Sequence, residues 1–122
     1  VEVMGENRLE AAGIRDNRTG EVTTIPAAAM FVFIGARPFT DLVADVVERD
    51  PEGFIITGDE LIRDSKRPKG WGLKRDPFLL ETSVPGIFAA GDVRSGAARR
   101  VASAVGQGGV SISFVHQYLK TV

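Results

Sequence analysis

The chain has 122 residues, enough for one small domain or a piece of a larger one, and too few for two independent cores. Fifteen Lys and Arg against sixteen Asp and Glu leave a formal charge of −1, which excludes the field of a nucleic-acid binder and offers nothing to a membrane surface. With no Cys and a single His, His116, these residues carry no disulfide or dithiol chemistry, and a metal site is not expected.

Apolar runs end well short of the roughly 20 residues that span a bilayer. The N-terminus has neither a basic n-region nor an apolar h-region, so a cytoplasmic location is the expectation. "VEVM" (1 to 4) reads as a strand already in progress, as in a chain cut from a longer parent. "RLEAAGIRD" (8 to 16) and "EVTTI" (21 to 25) flank Asn17-Arg18-Thr19-Gly20, a turn followed by β-branched residues, which predicts a β-hairpin. One face of it should cover a core and the other meet water.

"MFVFIG" (30 to 35) is the most hydrophobic run, and its continuity predicts a strand buried on both faces. Thr40 should then N-cap a short helix from Asp41 to about Arg49, with Leu42, Val43, Val46 and Val47 as its apolar stripe. Asp50-Pro51-Glu52-Gly53 is a turn, and "FIIT" (54 to 57) a further strand. Residues 63 to 77 form a loop in which Arg63, Lys66, Arg67, Lys69, Lys74 and Arg75 surround Trp71. A turn at 82 to 86 leads to "IFAAGD" (87 to 92), read as a buried strand.

The last helix is predicted from about Arg99 to Tyr118, with Val101, Ala104, Val105, Gly108, Ile112, Val115 and Leu119 along one side. Gly106, Gly108 and Gly109 each weaken it by roughly 1 kcal/mol relative to Ala. Three glycines in four residues therefore predict close packing against this backbone.

The chemistry is concentrated where a strand ends at Gly91-Asp92 and a helix begins a few residues later. An Asp at a strand tip can accept hydrogen bonds from sugar or ribityl hydroxyls. The helix start offers unpaired N–H groups and a positive dipole end to a phosphate or a ring carbonyl. In a doubly wound sheet ligands sit at this edge. A strand ending in Gly-Asp is common, however, and a plain turn with Asp92 capping the next segment is the alternative.

The wider sequence narrows that choice. "TSVPGIFAAGDVR", then "RRVASAVGQG" and the closing "FVHQYL", resemble the C-terminal flavin-binding segment of thioredoxin reductase and its relatives, FAD-dependent pyridine nucleotide-disulfide oxidoreductases. "TGE" followed by "MFVFIGARP" is similar to their return from the NADPH domain to the FAD domain. The resemblance runs from about Leu9 to Leu119. It implies an α/β fold: the C-terminal part of a two-domain FAD/NAD(P)-binding Rossmann-like protein, with an antiparallel hairpin, a small mixed sheet and a long final helix. Residues 1–28 would end the NAD(P)-binding domain, and 29–122 would belong to the FAD-binding domain.

By the same resemblance, Asp92, flanked by Gly91 and Val93, matches the Asp that hydrogen-bonds the FAD ribityl and pyrophosphate region. Arg99 matches the Arg of an Arg-Gln-Ala signature, and Arg100 and Val101 replace its Gln and Ala. The family uses backbone N–H groups there against the isoalloxazine N1/O2 edge. Neither replacement is Pro, so the donors survive, and Arg100 adds positive charge nearby. The implied parent passes electrons from NAD(P)H through FAD to a disulfide or another acceptor, such as a redox protein, and is a homodimer. The glycine-rich elements that hold the FAD and NADPH phosphates are absent from these residues, as is a Cys pair. The chain alone should therefore neither bind FAD tightly nor turn over.

Other residues read more plainly. His116 has no titratable partner spaced to orient it and is a surface or packing residue. Trp71 anchors its loop, with a place near a flavin edge or a partner as the sharper reading. The six basic residues are a solvated surface, or else a dock for an acidic protein or an NADPH phosphate. Asp41, Asp45 and Glu48 make an exposed helix face. The rival to the enzyme is a non-catalytic binding or dimerisation module that keeps the fold without flavin.

Overall fold

The protein is described by a computed structural model covering residues 2–122. It comprises two compact units, Val1–Gly35 and Ala36–Val122. No helix among the described residues is long and apolar enough to cross a membrane.

In the first unit, β1 (Glu2–Met4), β2 (Ala11–Arg15) and β3 (Val22–Pro26) form an antiparallel sheet in the order β1-β2-β3. The predicted hairpin is β2–β3, with Ile14 opposite Thr23 and Arg15 opposite Val22. Asp16 closes its turn, since its Oδ1 accepts from the Arg18 and Thr19 amides at 2.7 and 3.1 Å. Gly20 takes the positive φ that the return requires. The strand read at residues 1 to 4 is present from Glu2, and Val1 lies outside the described residues. Only Ala12 and Gly13 of the sheet are buried, because the central strand alone has a neighbour on each side.

The predicted strand at 30 to 35 does not form. Residues 27 to 40 carry no regular structure, and Phe31, Phe33 and Ile34 are 79%, 90% and 91% exposed. Hydrophobicity marks a segment that needs covering, but a strand also needs a backbone partner, and none of the described residues supplies one.

In the second unit, Val47, Ile55 and Ala89 form the core cluster, with Val43, Val84 and Val93 packed on it. The predicted helix from Asp41 is a single 3-10 turn, Asp41–Val43, followed by turns. Thr40 makes no cap, because its hydroxyl donates to the Gly53 carbonyl and accepts from Arg49 Nη1. Val43 and Val47 face inward, whereas Leu42 and Val46 are exposed. The strand predicted at 54 to 57 does not form: Phe54, Ile55, Ile56 and Thr57 are buried but join no ladder. The mixed sheet is reduced to single bridges around Ile55, antiparallel to Arg49 and parallel to Arg94.

The segment 87 to 92 likewise has one bridge, Glu81 to Phe88, in place of a continuous strand, and Ile87 is exposed. Gly58, at φ +59°, lies so close to Leu79 that a Cβ would stand 2.6 Å from its carbonyl oxygen. Gly58→Ala is expected to lower folding stability by more than about 1 kcal/mol, read as a drop in Tm. An unchanged Tm would mean that this contact relaxes freely.

Helix α1 spans Val101–Leu119, within two residues of prediction at each end. Its covered face differs from the expected one. Of the predicted stripe only Ala104 and Val115 are half-buried, beside Gln107, Ser111, Phe114 and Tyr118, whereas Val101, Val105, Ile112 and Leu119 are exposed. The two stripes lie roughly 100° apart round the helix. Phe114 stacks on Phe78 with ring centres 5.6 Å apart, and Tyr118 meets Phe88 edge-on at 6.5 Å. The close packing expected at Gly106, Gly108 and Gly109 is absent, with no atom within 4 Å of a Cβ built there. Those glycines share the exposed side with the uncovered stripe, so whatever requires them lies beyond the described contacts.

Candidate functional site

The Gly91–Val93 segment is a 3-10 turn packed directly against α1. Gly91 has φ +80°, and a Cβ on it would stand 3.3 Å from the Ala104 Cβ. Glycine is thus required twice here, for the left-handed backbone and for the close approach of the helix. The Gly91 amide donates to Gln107 Oε1 at 2.8 Å, which ties the turn to the same helix face. The carbonyl of Val93 accepts from Ile55 N at 2.9 Å, and Ser95 N donates to Ile55 O at 2.9 Å. The turn is therefore held from two sides while Asp92 remains exposed. Its carboxylate forms no hydrogen bond among the described residues.

Contact with Ala104 puts the turn beside the first turn of α1. That helix has no side-chain cap at Arg100, and its first internal hydrogen bond runs from Ala104 N to Arg100 O. The amides of Val101, Ala102 and Ser103 are consequently unpaired donors at the positive end of the helix dipole. Arg100 and Val101 are exposed. The Arg99 guanidinium does not turn toward the helix end but lies over the Phe54 ring, 4.2 Å from its centre. Of the predicted site residues, Gly91, Asp92 and Val93 thus neighbour the helix opening through Ala104, and Arg99 anchors the approach to it.

Three residues that the sequence did not single out complete the surroundings. Gln107 was legible as the one polar side chain among three glycines of "GQGG" and its neighbours, but its partner was not. Arg94 is buried, and its Nε donates to Thr57 Oγ1 at 2.7 Å. Burial pushes the Arg94 pKa down, and the charge of Glu60 partly opposes this.

The basic loop is internally braced. Arg63 pairs with Glu48 at 3.3 Å, Arg67 with Asp76 at 2.6 Å and Arg75 with Glu81 at 2.6 Å. Lys66, Lys69 and Lys74 are exposed and unpaired among the described residues. Trp71 is half-buried and donates its Nε1–H to the Arg75 carbonyl at 2.7 Å, which makes it a loop anchor. His116 is exposed in the last turn of α1. Asp41 and Glu48 pair with separate arginines, so the carboxylates at 41, 45 and 48 do not act together.

The donor set has a definite chemical character. One exposed carboxylate can accept and three uncapped amides can donate, and the buried Gly91 lets the turn that carries the carboxylate pack against the helix that carries the amides. This fits a flat or chain-like group carrying hydroxyls at one end and carbonyl or phosphate oxygens at the other.

Comparison with known proteins gives this geometry a lineage. Residues 1–108 match the family described as pyridine nucleotide-disulphide oxidoreductase. Thioredoxin reductase from Treponema pallidum is 34% identical over 120 residues, 98% of this chain and 33% of the relative. The 34.2 kDa protein in the rubredoxin operon of Clostridium pasteurianum is 30% identical over 96% of this chain and 32% of its own length. Among solved structures, thioredoxin reductase from Streptococcus pyogenes superimposes with a TM-score of 0.66 at 33% identity, covering 99% of this chain and 34% of its own. That of T. acidophilum gives 0.59 at 30% identity, covering 98% and 33%. The chain spans about a third of the length of these relatives. With the family match extending over most of its residues, the chain belongs to the pyridine nucleotide-disulphide oxidoreductases and is thioredoxin reductase-like among them.

Proposed function

We propose that this chain is the flavin-facing part of an FAD- and NAD(P)H-dependent oxidoreductase of the thioredoxin-reductase type. The observation that carries the reading is the glycine-only contact between Gly91 and Ala104. It packs the turn that carries the exposed Asp92 against α1 at Ala104, close to the helix end with unpaired amides. On this reading Asp92 accepts hydrogen bonds from ribityl hydroxyls, with Gly91 and Val93 shaping the backbone beside it. The main-chain donors beside Arg99 and at Val101 face the carbonyl edge of the ring, while the Arg100 amide is taken by the Ala98 carbonyl at 2.8 Å and its side chain adds positive charge there. FAD, when bound, supplies the redox chemistry, accepting hydride from NAD(P)H and passing electrons on. The chain's own part is to hold and orient.

Residues 1–28 then close the NAD(P)-binding domain, and 29–122 belong to the FAD-binding domain. With no Cys in the chain, a disulfide acceptor has to be met elsewhere in the protein. A cytoplasmic homodimer that delivers electrons to a redox protein completes the proposal. The association part of it is supported by the extent of uncovered apolar surface, including Phe33, Ile34 and Phe39 at 90% or more exposed. The same surface also favours the second reading, a dimerisation module without flavin.

Two preparations separate these readings. The 122-residue chain mixed with FAD and desalted is expected to show no visible flavin absorbance, whereas the full-length protein carrying it should be yellow and oxidise NAD(P)H. A stoichiometric yellow complex of the short chain would show that it holds a complete pocket. A colourless, self-associating full-length protein would establish the module instead.

A further inference from the structure

The Gly91 turn has a neighbour built in the same way. Thr57-Gly58-Asp59 and Ala90-Gly91-Asp92 each lead an extended segment through a positive-φ glycine into a 3-10 turn with acidic residues at its start. The segments leading into this second turn and out of the Gly91 turn meet in parallel at Ile55 and Arg94.

Arg94 lies at this junction, only 9% exposed, with its Nε bonded to the Thr57 hydroxyl at 2.7 Å. Glu60, on the neighbouring turn, favours the charge but forms no ion pair with it within 4.0 Å. An ionised side chain buried with so little pairing contributes poorly to stability, and an apolar side chain of similar size commonly does better. Arg remains charged even so. A residue in this position is explained by geometry better than by stability. Its planar head and directional N–H add a side-chain tie to the two backbone bonds at Ile55, one that an apolar side chain could not make.

We propose that Arg94 is a positioning residue for the cofactor site. Through Thr57 it locks the Gly91–Val93 turn to the Phe54–Thr57 segment and so sets where Asp92 stands. The inference rests on the flavin reading above and goes beyond it by assigning a role to two buried residues outside the set that reading uses. Asp92 is exposed and unbonded, so its placement depends on the backbone of its turn. That backbone is held on the helix side by Gln107 and on the core side by Ile55 and the Arg94–Thr57 bond.

The test uses the full-length flavoprotein carrying Thr57→Val, Thr57→Ser or Arg94→Lys, with the flavin Kd, the visible absorption band and Tm read for each. Thr57→Val keeps the shape but deletes the acceptor, and is expected to raise the flavin Kd about tenfold and shift the band. Arg94→Lys, which keeps the charge without the planar head, should follow it. Thr57→Ser keeps the hydroxyl and should bind within about twofold of wild type. Equal flavin affinity and an unchanged band in all three, even with a lowered Tm, would reduce Arg94 to a structural strut and overturn the inference alone. The inverse order, with Ser weakened and Val unaffected, would assign the effect to methyl packing and overturn it too. A wild-type protein that holds no flavin would overturn both this inference and the reading beneath it.

Discussion

Arg75→Met is expected to lower folding stability by about 3 kcal/mol, the range seen when one member of a buried ion pair is removed. The Glu81 side chain is completely buried, and Arg75 meets it with two bonds, at 2.6 and 2.9 Å. The remaining capacity of the carboxylate is filled by the amides of Phe78 and Gly86, each at 2.9 Å. The guanidinium lies 3.9 Å from the Phe78 ring centre, with Trp71 and Tyr118 further out at 5.7 and 5.9 Å. One arginine thus joins the basic loop, the segment before the Gly91 turn and the end of α1. Its loss strands a carboxylate that nothing else in the second unit can neutralise. Chemical unfolding of the variant beside the wild type measures the effect. A change within about 0.5 kcal/mol, the size seen for ordinary surface substitutions, would mean that water reaches Glu81 freely.

The same pair sets an acid limit. Burial pushes the Glu81 carboxyl upward, but the Arg75 bond, the Phe78 and Gly86 amides and the Arg75 charge together outweigh it and hold its pKa below the ordinary value. A group depressed in the folded state contributes stability that is fully present above its unfolded pKa, about 4.3 for Glu. That contribution is lost as pH falls through the lower folded value. Glu81→Gln should therefore cost a constant amount above about pH 5, and the gap to wild type should close under more acidic conditions. Tm measured against pH for the two proteins reads this directly, and parallel curves down to acid would refute it.

On the proposed flavin reading, Asp92→Ala in the full-length protein is expected to weaken flavin binding about 100-fold while leaving the stability of the flavin-free protein within about 0.5 kcal/mol. The two halves of that expectation have one cause. Asp92 is exposed and bonded to nothing among the described residues, so the fold loses nothing when its carboxylate is removed. A ligand whose hydroxyls donate to that carboxylate loses charge-assisted bonds. Asn at the position keeps one acceptor oxygen and should fall between. Flavin titration of the apoprotein against its Tm separates the effects. Unchanged affinity would remove Asp92 from the site, whereas a large fall in Tm would make it a structural cap.

What could be read from the residues in order was whatever depends on neighbours in the chain. The hairpin is legible because Asp16 to Gly20 carry their own turn chemistry, and α1 because nineteen residues keep one period with Val101 and Leu119 as its ends. The positive φ of Gly91 is likewise a local property, suited to the glycine that stands there. Tertiary structure alone decided which apolar surfaces are covered and which polar groups meet. The run at 30 to 35 stayed uncovered, and the helix turned Phe114 and Tyr118 inward in place of Val101 and Ile112. The Arg75–Glu81 and Arg94–Thr57 bonds, six and thirty-seven residues apart in sequence, likewise appeared only on folding. The physical reason is common to all of these. Turn geometry and helical period are local properties of the backbone, whereas burial and hydrogen-bond partnership belong to pairs of segments, and the order of residues records only one member at a time.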